Sequence, residues 1–222
     1  YYLHGGGRAN SVFGDGTLSS QAPADELSDH FDYDPERPVP SIGGNLSTAS
    51  WAWSESGRDP TIAGPVDQRA IERRDDVLVY TSEELQEDVE VTGPLEVVLY
   101  AASSALDTDF TARLVDVHPS DTAIVMAEGI IRARFRNGFE KAELLEPGEV
   151  QQYRIQMYPT SNVFLKGHRI RVDISSSNFP RFSRNLNTGE DVATGTRMEV
   201  AHQTVLHSEE YPSHIILPII PR

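Results

Sequence analysis

From Val77 onward the chain reads as short runs of alternating residues cut by turn signals, and no run repeats its apolar residues at the 3.6-residue period of a helix. Val77, Val79 and Thr81 alternate with Leu78 and Tyr80. Val89 to Val91 leads to a Gly93-Pro94 break, and Leu95 to Ala101 resumes the pattern. Asp109 to Val117 sets Phe110, Ala112, Leu114 and Asp116 on one face and Thr111, Arg113, Val115 and Val117 on the other. Further strands are expected over Ala123 to Ala127, Ile130 to Arg136, Val150 to Tyr158, Arg169 to Ser175, Met198 to Leu206 and His214 to Ile220. Asn137-Gly138, Pro147-Gly148 and Lys166-Gly167 punctuate them. About nine strands at even spacing predict an all-β chain, an antiparallel sandwich of jelly-roll type rather than an alternating α/β fold. A length of 222 residues fits one such domain.

Residues 1–76 have a different texture, rich in Gly, Pro, Ser and Asp. Tyr1 to His4 and Thr17 to Ser19 are expected to form short strands, with Gly14-Asp15-Gly16 as a turn. Phe31 to Gly44 carries three prolines, which lack amide donors and push the preceding residue toward extended conformations. It reads as an ordered, extended connection lying on a surface through Phe31, Tyr33 and Val39. The expected organisation is one domain, with an extended, loop-rich part over 1–76 and a sandwich core over 77–222. Too poor in pattern to form its own core, the first part nonetheless holds Phe31, Tyr33, Trp51 and Trp53. These aromatics predict a docking strip.

A formal charge of −15 argues against nucleic acid and anionic membranes as partners. The absence of cysteine excludes disulfides, thiolate zinc sites and a cysteine nucleophile. No apolar run reaches the roughly 20 residues of a membrane helix. The start YYLHGGG lacks the basic and apolar regions of a signal peptide, so a cytoplasmic protein is expected. That start, without a methionine, also reads as a piece of something longer.

The candidate chemistry is thin. His4-Gly5-Gly6-Gly7 matches the segment that supplies oxyanion donors in many esterases, but the chain has no G-x-S-x-G elbow to go with it, and a glycine-rich turn is expected. Ser175-Ser176-Ser177 is expected to satisfy backbone groups at a sheet corner rather than to supply a nucleophile. Asp107 and Asp109 flank Thr108 in a pattern compatible with calcium but too small to specify it; a polar turn entering a strand is expected. His202 and His207, five apart, would face opposite sides of a strand, against a two-histidine site. No catalytic residue, metal site or cofactor is expected. Trp51 and Trp53, two apart in a polar loop, would face the same way if extended, as sheet cover or as docking anchors.

Several stretches taken together carry a resemblance: GGRANS with GDGTLS (6–11, 14–19), YDPERPVPSIGG (33–44), DQRAIERRDDVLVYTSE (67–83), DTDFTARLVDV (107–117), TSNVFLKGHRIRVDISSSNFPRFSRNLNTG (160–189) and PSHIILPIIP (212–221). In this order and spacing the chain resembles the C-terminal domain of the serine hydrolase family that contains cocaine esterase, the X-Pro dipeptidyl-peptidases and the α-amino acid ester hydrolases, most nearly its cocaine esterase branch. The resemblance implies a galactose-binding-like jelly roll that packs on an α/β-hydrolase domain of the same parent chain, where the nucleophile, aspartate and histidine reside. It also implies that the loop after the Pro-Val-Pro connection, with Leu46, Trp51 and Trp53, approaches the acyl pocket. The function expected is therefore an accessory domain, inactive alone, that supports a hydrolase of ester or X-Pro peptide bonds, shapes its cleft and contributes to a homo-oligomer. The alternative is an independent carbohydrate-binding or interaction module.

Overall fold

The computed structural model describes residues 1–45 and 63–221. Among the described residues eleven strands form one sheet: β1 (Tyr2–His4), β2 (Thr17–Ser19), β3 (Asp29–Tyr33), β4 (Leu78–Ser82), β5 (Val89–Ser103), β6 (Asp109–Val117), β7 (Ala123–Arg132), β8 (Gln151–Phe164), β9 (Arg169–Ser175), β10 (Ala201–Leu206) and β11 (His214–Ile216). The lateral order is β11-β1-β2-β4-β9-β6-β7-β8-β5-β10-β3, and β11 also pairs with β5. That last pairing closes the sheet on itself, removing most of its free edge. Among the described residues there is no α-helix, only a 3-10 turn at Ala133–Phe135. The all-β expectation holds.

Two expected breaks are absent. β5 runs straight through Gly93-Pro94, where the register against β8 shifts between Gly93 and Leu95 and Gly93 takes a φ of 139°. Glycine permits a bulge there without ending the strand. β7 likewise runs through Gly129, because that glycine marks a close approach: a Cβ there would lie 2.4 Å from the Gln156 carbonyl oxygen of β8.

β5 and β8 turn Leu95, Val97, Leu99, Tyr153, Ile155 and Met157 inward. Facing them are Tyr80 of β4, Phe110 and Leu114 of β6, and Ile170 and Val172 of β9. On β8 the alternation is clean, with Gln152, Arg154, Gln156 and Tyr158 exposed on the other side. On β6 all nine residues are buried. Its second face is covered by the chain that precedes β4. Val39 packs with Ile71, Val77 and Val79, with Ile42 against them, and Arg113 is 2% exposed.

The first part of the chain also enters the sheet. β3 pairs with β10, from Asp29↔Val205 to Ala201↔Tyr33, and Phe31 and Tyr33 are 4% and 1% exposed. These two aromatics therefore complete the core rather than forming a strip for another domain. The stretch read as a connection begins as a strand because Phe31 and Tyr33 alternate with exposed His30 and Asp32 before the first proline. Leu46, Trp51 and Trp53 lie outside the described residues.

Candidate functional site

The covering segment pinches at one point. The Gly44 amide donates to the Gly64 carbonyl at 2.8 Å, and the Gly64 amide returns the bond to Gly44 at 3.0 Å. This bridge forms the neck of the 46–62 segment. Gly43, Gly44 and Gly64 have φ values of 74°, 70° and 88°, in the left-handed region that favours glycine. A Cβ on Gly44 would also sit 2.4 Å from Glu128 Oε1.

Both limbs of the neck rest on the sheet. Pro38 and Pro40 cannot donate, but the intervening Val39 amide donates to Ser177 Oγ at 2.8 Å. The Ser41 amide donates to Phe179 O at 2.7 Å. On the return limb, Val125 N donates to Val66 O and Gln68 N to Ala123 O. The Gln68 side chain joins the limbs, donating to Ile42 O at 2.8 Å and Val66 O at 2.9 Å.

Beneath the neck lies a cluster of buried polar groups. Glu128, on β7, accepts from Asn178 Nδ2 at 2.7 Å and from the Asn45 amide at 3.2 Å, and pairs with Arg181 at 3.2 Å. Asn178 Oδ1 accepts from Ser41 Oγ at 2.6 Å and from Arg113 at 3.2 Å. Glu72 pairs with Arg171 at 2.6 Å. Burial raises the carboxyl pKa of Asp173 to about 8, with the Glu72 charge adding to the rise and Arg171 and Arg113 opposing it. Burial likewise raises Glu72 and lowers Arg113. The arrangement is a buried support that holds the two limbs of the neck in place. Sequence reading missed Glu128, Asn178 and Gln68; the only trace was Glu128 standing inside an otherwise apolar strand.

The motifs singled out in the sequence take structural places. After β1, a Cβ on Gly5 would lie 3.0 Å from Asp29 Oδ2, and one on Gly6 would lie 2.9 Å from Asp15 Oδ2. The glycines let the backbone run close to carboxylates. Asp29 anchors the region: it accepts from Ala9 N at 2.7 Å, from Tyr80 Oη at 2.9 Å, and bonds His207 Nε2 at 2.7 Å. Burial opposes protonation of His207, but the bond and charge of Asp29 outweigh it and raise the pKa.

A serine, a histidine and a glutamate do meet, which sequence reading did not foresee. His4 Nε2 lies 3.1 Å from Ser19 Oγ, and His4 Nδ1 lies 2.7 Å from Glu26 Oε1. The same Nε2 also lies 3.0 Å from the Gln21 carbonyl oxygen, so Ser19 shares that nitrogen with a main-chain oxygen. Ser19 Oγ meanwhile accepts the Gln21 amide at 3.2 Å. The trio pins the β1–β2 hairpin.

Asp107 and Asp109 face guanidinium groups, Arg134 at 2.8 Å and Arg132 at 2.9 Å, and share Asn185 as donor. His202 is exposed and paired with Asp32, whereas His207 is buried, on the opposite side as expected. The serine triplet supplies buried hydroxyls: Ser175 bonds Thr111 at 2.6 Å, Ser176 accepts from Gln203 at 3.1 Å, and Ser177 holds Val39.

A closed all-β domain whose buried charges support its own covering segment is a class of structural module, and comparison with known proteins gives the family. Residues 1–216 match the family described as the X-Pro dipeptidyl-peptidase C-terminal non-catalytic domain, and the chain belongs to it. It is 47% identical over 224 residues to the cocaine esterase of Rhodococcus sp. (strain MB1 Bresler), a match covering all of this chain and 37% of that protein. Among solved structures it resembles an aminopeptidase from the marine sediment archaeon Thaumarchaeota archaeon, with a TM-score of 0.84 and 32% identity, covering 96% of this chain and 36% of that one. An α-amino acid ester hydrolase superposes with a TM-score of 0.85 and 28% identity, covering 99% and 36%. The chain thus spans about a third of the length of these relatives.

Proposed function

We propose that this chain is the accessory domain of a longer serine hydrolase, packing on an α/β-hydrolase domain that carries out ester or X-Pro peptide bond hydrolysis. The 46–62 segment, with Leu46, Trp51 and Trp53, forms part of the substrate cleft wall. The observation that carries this reading is the neck. Gly44 and Gly64, bonded to each other, hold the ends of the segment together, and Gly44 and Asn45 rest on Glu128, a support that fixes geometry. The same reading includes the jelly-roll, galactose-binding-like description, an extended part over 1–76 serving a core over 77–222, a cytoplasmic location and a capacity to homo-oligomerise.

Two measurements test it. The purified chain is expected to show no serine-reagent-sensitive turnover of a p-nitrophenyl ester or a Gly-Pro anilide, because no G-x-S-x-G elbow is present in its sequence to activate a nucleophile beside an oxyanion hole. Such turnover would overturn the accessory role. In the longer hydrolase, Trp51→Ala or Trp53→Ala is expected to shift the kcat/KM ratio between two acyl substrates. Unchanged ratios for both variants would remove the cleft wall from the account.

A further inference from the structure

We propose that Asp116, His118 and His168 form a binding site for one divalent transition-metal ion of the zinc type, at the end of the domain where β6 and β9 finish their ladder. Strand register brings these residues together. β6 and β9 are antiparallel, with Asp116 opposite Ile170 and Val117 opposite Arg169. One step further along this register, His118 stands opposite His168. Asp116, two residues before His118, shares its face.

Both histidines sit on pinned backbone. The His118 amide donates to Thr122 O and its carbonyl accepts from the Asp121 amide, each at 2.9 Å, closing a turn in which Asp121 has a φ of 63°. The His168 amide donates to Leu165 O at 3.0 Å, and its carbonyl accepts from Leu85 N at 2.9 Å. The two turns touch, for a Cβ on Gly167 would lie 3.7 Å from the Pro119 ring.

The donor atoms converge. One ligand atom from each of the three residues lies within 4.8 Å of the other two. Asp116 Oδ1 is 2.8 Å from His168 Nδ1, Asp116 Oδ2 is 3.8 Å from His118 Nε2, and the imidazole centroids are 4.4 Å apart. Zinc bonds imidazole nitrogen at about 2.0–2.1 Å and carboxylate oxygen at about 2.0–2.2 Å, so tetrahedral ligands stand about 3.3–3.5 Å apart. Small side-chain rotations bring the three into that range. The metal takes the place of the hydrogen between His168 Nδ1 and Asp116 and leaves a fourth position for water. Two nitrogens and one carboxylate suit zinc, nickel or copper and are too poor in oxygen for calcium or magnesium. The side chains of Asp116 and His168 are 9% and 12% exposed and that of His118 is 40% exposed, so the ion enters beside His118. Bound there, it staples the β6–β7 turn to the β8–β9 turn, a structural role independent of any hydrolysis.

The test is calorimetric titration of this chain with zinc sulfate in metal-free buffer, repeated with cobalt to read the visible absorption of a four-coordinate ion. One equivalent is expected to bind and to raise the melting temperature. His118→Ala, on an exposed turn, is expected to weaken binding by at least about tenfold, and His168→Gln likewise. His202→Ala, which removes the separate surface pair with Asp32, is expected to leave binding unchanged. Absence of one-equivalent binding, a loss below about tenfold in a folded His118→Ala protein, or equal loss in His202→Ala would overturn the site.

Discussion

The β5–β8 side of the sandwich and the β6–β9 side share one core but treat their outer faces differently. On β8 the outer residues Gln152, Arg154, Gln156 and Tyr158 stay in water. On β6 the outer residues Thr111, Arg113, Val115 and Val117 are all buried, and Arg113 reaches the Pro40 carbonyl of the segment that leads to the neck. The open side only closes a core. The covered side also carries the Gly44–Gly64 neck, and that second duty accounts for its buried Glu72, Arg113, Asp173 and Glu128, charges that a one-sided sheet leaves in solvent.

The comparison can be broken at the shared core first. Leu114, fully buried, points into the shared core, and Leu114→Ala is expected to cost about 2–5 kcal/mol in urea unfolding. A loss below about 1 kcal/mol would mean the two layers are not joined through β6. Next comes the neck. Gly44→Ala puts a Cβ against Glu128 at a φ of 70° and is expected to cost about 1–3 kcal/mol, with protease cleavage appearing near the Gly44–Gly64 bridge. An unaffected protein would show that the bridge is incidental.

The buried charges of the covered side predict a pH dependence of their own. An unfolded aspartate titrates near about 3.9, whereas folded Asp173 is held up at about 8. The folded state therefore keeps a proton that the unfolded chain has released. The stability this contributes is complete below about pH 4 and is lost as pH rises toward 8. Asp173→Asn is expected to flatten the fall in unfolding free energy between pH 5 and 8 by roughly 3–4 kcal/mol. His207, also raised, acts in the same direction in both proteins, so the difference between them isolates Asp173. Equal slopes would contradict the assignment. The smallest effect belongs to the open face, where Arg154→Ala is expected to change stability by no more than about 0.5 kcal/mol despite its pairing with Glu96.

These residues also show how far the sequence could be read. β6 and β9 have the expected bounds because their alternation ends at clear turn signals. β5 and β7 were expected as two pieces each because Gly93 and Gly129 imitate strand ends, and only their neighbours reveal a bulge and a close backbone approach. The covered face was illegible for a different reason. Arg113 and Asp173 alternate as solvent-facing residues do, and their burial depends on residues 39–79, remote in sequence. Phe31 and Tyr33 read in sequence as anchors for a partner domain because their true partner, β10, lies some 170 residues downstream, as with Asp32 and His202. The Ser19–His4–Glu26 contact could not be foreseen without the β1–β2 pairing that sets His4 opposite Thr17. Asp116, His118 and His168 needed the β6–β9 register in the same way.

The most direct test of the proposed docking role is hydrogen exchange on this chain alone and on the longer hydrolase. The account predicts that peptides spanning residues 43–66 exchange at least about tenfold more slowly in the longer protein, while those covering Gln152–Tyr158 on the open face do not change. Unchanged exchange over 43–66, or new protection on β8 instead, would contradict it.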